Sequence, residues 1–361
     1  MRNAWIIWAL LLAVPSQART LVVDGSGGSE YSTVRSALWA SVGGDTILIH
    51  PGTYDEYDGP DATNTVGQSP LTIIGTGSDA EETALRLSID FLDSDCTIVN
   101  LLFHREDTPL VSSGTMVIRG CRFDQNGNDG LGGGAIRMIG GSLVVEDTAF
   151  TNNSALGNDS PMGGAVFVDG GAPVTLRRCV CKGNQAESGG ALYVWTADAE
   201  DSVFMENEAD HGAAIMAASL NTMTRCTLLR NRIRVGPGAA LESRVSDWLG
   251  VVSHSIIART SNGWGVECGG FKTLECCDVW GNEAGDYAGM WCSNLESDGN
   301  FSADPVFCDW AAGDVGLQEG SPCVPGLHGG VQCGIIGARG LECPGTAVEA
   351  VSWGKVRGMF R

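Results

Sequence analysis

Histidine occurs five times in 361 residues, aromatic residues make up only 7% of the chain, and 22 basic residues face 43 acidic ones. The shortage of base leaves a formal net charge of −21. A polyanion of this size gains nothing from nucleic acid or an anionic membrane surface, so neither is expected as a partner. His50, His104, His211, His254 and His328 fall at unrelated points of the pattern described below. They suggest no catalytic triad and no metal cluster. Long apolar runs are missing beyond the N-terminus, so the mature chain is expected to have no transmembrane segment. Leucine-rich or helical-repeat periodicity is missing as well.

What is present begins with a leader. Arg2 precedes the apolar stretch Ala4 to Val14, which is too short to span a bilayer comfortably. Pro15 breaks it, and Ser16-Gln17-Ala18 is a small-x-small cleavage signal. Residues 1–18 therefore read as a signal peptide cleaved near Ala18, and the protein as secreted or held at the cell surface or outer membrane. In an oxidising compartment the 13 cysteines are able to pair, with at least one left over. The 51 glycines in a chain that is still 43% hydrophobic point to tight turns between short buried strands rather than to disorder.

Two signals alternate along the chain. One is apolar-x-x-Asn: Phe123 with Asn126, Phe150 with Asn153, Cys181 with Asn184, Phe204 with Asn207, Leu228 with Asn231 and Val279 with Asn282. Ile257 to Thr260 keeps the rhythm but has lost the Asn. A small residue stands two places before each apolar position, among them Cys121, Thr148, Cys179, Ser202, Cys226, Ser255 and Cys277. The other signal is Gly133-Gly134-Ala135-Ile136, Gly163-Gly164-Ala165-Val166 and Gly189-Gly190-Ala191-Leu192, with degenerate copies at Gly212 and Gly238. A period between 20 and 35 residues means stacked repeats. The strands after the glycines alternate faces, with Ile136/Met138, Val166/Val168, Leu192/Val194 and Ile215/Ala217 on the core side. Short strands and glycine turns fit an all-β, single-stranded right-handed parallel β-helix of roughly ten coils, about 4.8 Å apart. Equivalent positions then stack, so the apolar residues form an inward ladder and the asparagines a ladder of amide hydrogen bonds.

These paired motifs resemble the polymorphic outer membrane protein repeats of bacterial surface proteins over roughly residues 118–285. The wider resemblance is to the pectin-lyase-like superfamily of right-handed parallel β-helices. The front end, with a short amphipathic helix over residues 32–41 carrying Val34, Ala37 and Leu38 on one face, is similar to the N-terminal cap of such proteins. The segment holding Cys308, Cys323, Cys333 and Cys343 resembles a C-terminal coil of exported β-helix proteins. It implies two disulfides among those four, in any of three connectivities. The small-position cysteines Cys121, Cys179, Cys226 and Cys277 read as buried core residues. The expected organisation is a β-helix with its N-terminal cap over residues 19–305, a cysteine-rich cap coil over 306–344 and a tail over 345–361. The tail carries Lys355, Arg357 and Arg361 among apolar residues and is a candidate signal for secretion machinery or surface attachment.

The superfamily includes lyases, hydrolases and esterases of acidic polysaccharides, but fold does not assign activity. The pectinesterase stretches are absent, and the aspartates and arginine of a calcium-dependent pectate lyase do not line up. Glu242 and Glu267 occupy equivalent outward positions on neighbouring coils and are the candidate catalytic pair. Outward positions of the glycine strands read Arg137, Phe167, Tyr193, Met216, Glu242, Glu267 and Trp291, with Trp195 beside Tyr193. Phe167, Tyr193, Trp195 and Trp291 are the candidate ligand-binding aromatics, for a sugar ring or a surface protein. No cofactor or metal is expected, except that Asp124 to Gly130 has the flavour of a loose calcium loop while departing from an EF-hand. The expected protein is a monomeric, non-catalytic binding or adhesion scaffold, with a divergent polysaccharide lyase or glycoside hydrolase as the alternative.

Overall fold

The computed structural model describes residues 17–56, 63–67, 69–104, 107–128, 130, 132–157, 160–243, 250–267, 271–289, 298–328 and 330–343. The apolar part of the leader and the C-terminal tail lie outside them. The chain winds as a parallel β-solenoid of about ten turns. Each regular turn contributes to three faces. The first face holds the glycine strands, such as Ile136–Met138, Val166–Val168 and Ala239–Ser243. The second holds strands such as Thr115–Arg119, Ser142–Glu146 and Pro173–Arg177. The third is a sheet of ten strands running from Gly52–Asp55 to Asp278–Trp280. In two turns the first and second faces join without a break, as the nine-residue strand Leu192–Glu200 and the ten-residue strand Ile215–Thr224.

Register follows the repeat. Phe103, Phe123, Phe150, Cys181, Phe204, Leu228, Ile257 and Val279 stack one per turn. All are buried in one continuous core. The rings of Phe103, Phe123 and Phe150 lie nearly parallel, with centroids 4.9 and 5.0 Å apart. That spacing is the strand separation itself, so the aromatic stack costs the backbone no distortion. The inward residues expected on the glycine strands, Ile136 to Ala217, belong to the same core.

The asparagine ladder is continuous from Asn126 through Asn153, Asn184, Asn207 and Asn231. Each Oδ1 accepts both the amide and the Nδ2 of the asparagine one turn earlier, as Asn184 does for Asn153 at 3.0 Å each. Each Nδ2 also donates to a main-chain carbonyl of the preceding turn, as Asn184 does to Phe150. The residue before each of these asparagines has left-handed backbone, seen at Gln125, Asn152, Gly183, Glu206 and Arg230. The chain therefore turns the corner there, and the buried amides satisfy what the turn leaves open. At Thr260 the ladder stops, and Asn282 starts anew by accepting the Thr260 amide.

The Gly-Gly-Ala motif has two separate causes. The first glycine takes positive φ, 66° at Gly163 and 69° at Gly189. The second lies under the next turn. A Cβ at Gly164 would stand 2.1 Å from the Gly190 carbonyl oxygen. No side chain fits at that separation.

At the front, α1 (Val34–Ala40) is capped by Thr33 and buries Val34, Ala37 and Leu38 against the first strands. The C-terminal segment departs from expectation. Residues 302–343 do not coil over the end of the rod alone. They run back along the outside of the third face as a strap. A second core forms there between Val180, Val203, Met205, Leu229, Ile256 and Ala258 of the sheet and Phe307, Val315, Leu317, Ile336 and Ala338 of the strap. The Gly337 amide donates to the His254 carbonyl, and the Ala338 amide to Thr227 Oγ1 at 3.0 Å. The sequence hinted at this in outward positions of the third face, where Val180, Val203, Met205, Leu229, Ile256 and Ala258 are apolar.

Among the described residues the disulfides are Cys276–Cys333 and Cys308–Cys343. The expected pairing within the last four cysteines is thus corrected. Cys333 reaches back to Cys276, and Cys323 keeps a free, buried thiol. Cys276 sits at a corner with left-handed backbone, so it faces the strap while its neighbour Cys277 faces the core. Cys121, Cys179, Cys226 and Cys277 are free and buried as read from the sequence. Burial pushes each thiol up to about 12, which keeps it protonated and inert.

Candidate functional site

The outward row of the first face is in register from Arg137 through Phe167, Tyr193 and Met216 to Glu242, and Glu267 stands beside Glu242 on the next turn. Opposite Glu267 comes Ala288. Trp291 lies outside the described residues. Phe167 and Tyr193 are not open to solvent as expected; they are 4% and 5% exposed. Together with Met216 they form a small cluster against Met162. The segment before Gly163 therefore roofs the aromatics. Trp195, at 48% exposure, is the one candidate aromatic that the described structure leaves in water.

Beside this cluster opens a cleft of about 480 Å³. Tyr193 and Met216 form its apolar floor, while Glu187, His211, Glu242 and Glu267 supply its polar walls. The structure thus brings both candidate carboxylates into one cavity. It also adds His211, which the sequence reading left without a partner. His211 Nδ1 lies 3.0 Å from Glu242 Oε1. The signal for His211 was in the repeat. Gly132, Met162, Ser188 and His211 each stand just before a glycine motif and stack one per turn.

Glu242 has a structural reason to be there. In the regular turns the first glycine amide donates to a carbonyl one turn on: Gly163 to Ser188 and Gly189 to His211. For Gly212 the acceptor is Glu242 Oε2 instead, at 2.9 Å, and the same oxygen accepts from Ala239 at 3.2 Å. The carboxylate replaces a main-chain carbonyl where the turn before Gly238 leaves the repeat. It is buried, with one oxygen on two amides and the other on the imidazole. Glu267 is different. Burial lifts its carboxyl above the usual carboxylate range, Glu242 lifts it further and His211 pulls it down. Such a pair, one carboxylate held by donors and one raised towards neutrality, is the arrangement acid–base chemistry uses.

In the segment Asp124 to Gly130, of which Asp129 lies outside the described residues, the side chains have other partners. Asp124 points outward to His104 Nδ1 at 3.2 Å and accepts from Thr151 Oγ1, whereas Asn126 points into the ladder. Among the described residues no group of three or more His, Cys, Asp or Glu is placed to hold a metal, and no helix is long and apolar enough to cross a membrane. No protein-family model matches the chain, and no curated protein does.

Proposed function

We propose that this chain is an exported binding or adhesion scaffold that takes a sugar chain in the cleft of the first face. The cleft itself carries the reading: an apolar floor of Tyr193 and Met216 meets polar walls at His211, Glu242 and Glu267. Rings with one apolar face and a hydroxylated edge suit that combination. Among the described residues no Lys or Arg lines the cleft, and the chain is strongly acidic. A polyuronate, the substrate type suggested by the pectin-lyase-like resemblance, would meet repulsion here, so an uncharged glycan is the ligand class proposed. Glu242, with both oxygens engaged by the fold, favours holding over reacting. Export by the N-terminal leader and attachment through residues 345–361 complete the proposal. The two disulfides fit an oxidising compartment.

The test is binding of neutral, basic and acidic oligosaccharides to the exported protein and to Glu267→Gln and His211→Ala. Neutral chains are expected to bind, and both variants to weaken them with the fold intact. Preference for polyuronates, or unchanged affinity in both variants, rejects the reading.

One observation favours a second reading, glycoside hydrolysis: the raised carboxyl of Glu267 beside the His211–Glu242 pair. Product detection on the same panel decides it. New reducing ends that vanish in Glu267→Gln support hydrolysis.

A further inference from the structure

Asp278 opens the last strand of the third face and is completely buried beneath the C-terminal strap. Its Oδ1 accepts from the Ala303 amide at 3.0 Å, and its Oδ2 from the Cys323 thiol at 3.2 Å. Both donors belong to the strap. Its own amide donates to the Ser255 carbonyl of the turn before. The groups that face it are acidic or neutral: Asp286 from the first face, Asp304 and Cys323 from the strap, and Cys277 next to it on the chain. On the neighbouring turn, His254 meets the strap through its carbonyl. Arg259 there is turned to Asp304 at 3.7 Å and lies over the rings of Trp280 and Trp310. Among the described residues no base forms an ion pair with Asp278. Both donors also suit a carboxylate, but full enclosure with no base beside it and with Asp286 and Asp304 near makes the charged form costly, so the docked strap favours the neutral acid.

We propose that Asp278 is a pH-sensitive latch for the strap: protonated, it holds the segment around Ala303 and Cys323 onto the last turns, and ionised, it lets that segment loosen. Burial pushes its carboxyl from an ordinary 3.8 up to about 7; the Ala303 and Cys323 contacts oppose the shift, and Asp286 and Asp304 add to it. A carboxyl raised in the docked state contributes fully below its ordinary value and has lost that contribution once the pH passes about 7. Loosening uncovers the apolar row Val203, Met205, Leu229 and Ile256, while Cys276–Cys333 keeps the strap tethered and able to return.

The experiment is amide hydrogen exchange of the full exported chain at about pH 5 and about pH 8, as protection factors corrected for intrinsic rate. Protection over residues 303–338 is expected to fall about tenfold or more at the higher pH, while residues 136–230 on the first and second faces stay unchanged. Asp278→Asn is expected to abolish the strap-specific fall. If that variant does not accumulate, Cys323→Ala decides: removing the thiol donor leaves the fall in place but moves its midpoint to higher pH. A wild-type strap with constant protection, a fall shared equally by the middle turns, or a fall that persists in Asp278→Asn overturns the proposal. A Cys323→Ala midpoint that stays put does the same.

Discussion

Asn184 shows how much one side chain holds. Its oxygen takes two donors from Asn153, and its nitrogen serves the Phe150 carbonyl and the Asn207 oxygen. All of these groups are buried away from water. Asn184→Ala strands several of them at once, at about 1–3 kcal/mol each. We expect a loss of roughly 3 kcal/mol or more by denaturant titration, far above that of an exposed asparagine. Phe150→Ala is expected to cost about 3–5 kcal/mol by a different route, a cavity in the aromatic stack. Arg137→Ala should cost little, since Arg137 is outward and half-buried. Glu267 gives a pH-dependent case. Its carboxyl is raised in the fold, so its stabilising contribution is complete below the ordinary carboxylate range and is lost as pH rises through the raised value. Glu267→Gln should therefore leave Tm nearly unchanged at about pH 4 and raise it at about pH 8. The same change in Tm at both values rejects the assignment.

Among the elements, the strap is the one whose behaviour differs most from its neighbours. The middle turns are held on both sides by parallel strands, whereas the strap meets the rod through one apolar seam and a few hydrogen bonds. Its disulfides close loops of 57 and 35 residues, each worth roughly 3–4 kcal/mol in restricted unfolded chain. Reduction under native conditions should open residues 306–343 to a protease before any cut appears in the ladder region 121–231. Simultaneous cutting of both would mean that rod and strap unfold as one unit. Cysteine mapping of the exported protein should find Cys276 joined to Cys333 and Cys308 to Cys343, with Cys323 free.

Across the whole molecule, charge and stacking act together. Arg178 with Asp147, Arg225 with Asp201 and Arg234 with Asp210 pair bases with acids one turn apart. Much of the scarce base is thereby spent between turns, and the outer surface stays anionic. The basic tail stands against that background. Deleting residues 346–361 should leave the unfolding transition of the rod unchanged and alter where the protein accumulates. A truncated chain that reaches the same location in the same amount assigns the tail no part in sorting or attachment.

The repeat made the turns legible in the sequence because each turn poses the same local problem. A corner needs left-handed backbone, a buried amide to close it and an apolar residue to fill the core, so Phe150, Asn153 and Gly163 announce their positions. Inward and outward sides of the glycine strands were legible for the same reason, and so was the row that brings Glu242 beside Glu267. Three features were settled only by the tertiary structure. His211 meets Glu242 because an irregular turn withdrew a carbonyl, and a repeat pattern records regular turns, not their failures. Tyr193 and Phe167 are covered because the segment before Gly163 folds over them, and coverage by a loop has no periodicity. Cys333 finds Cys276 because the chain doubles back along the third face. A disulfide depends on which segments meet in space, and nothing local to either cysteine encodes that meeting.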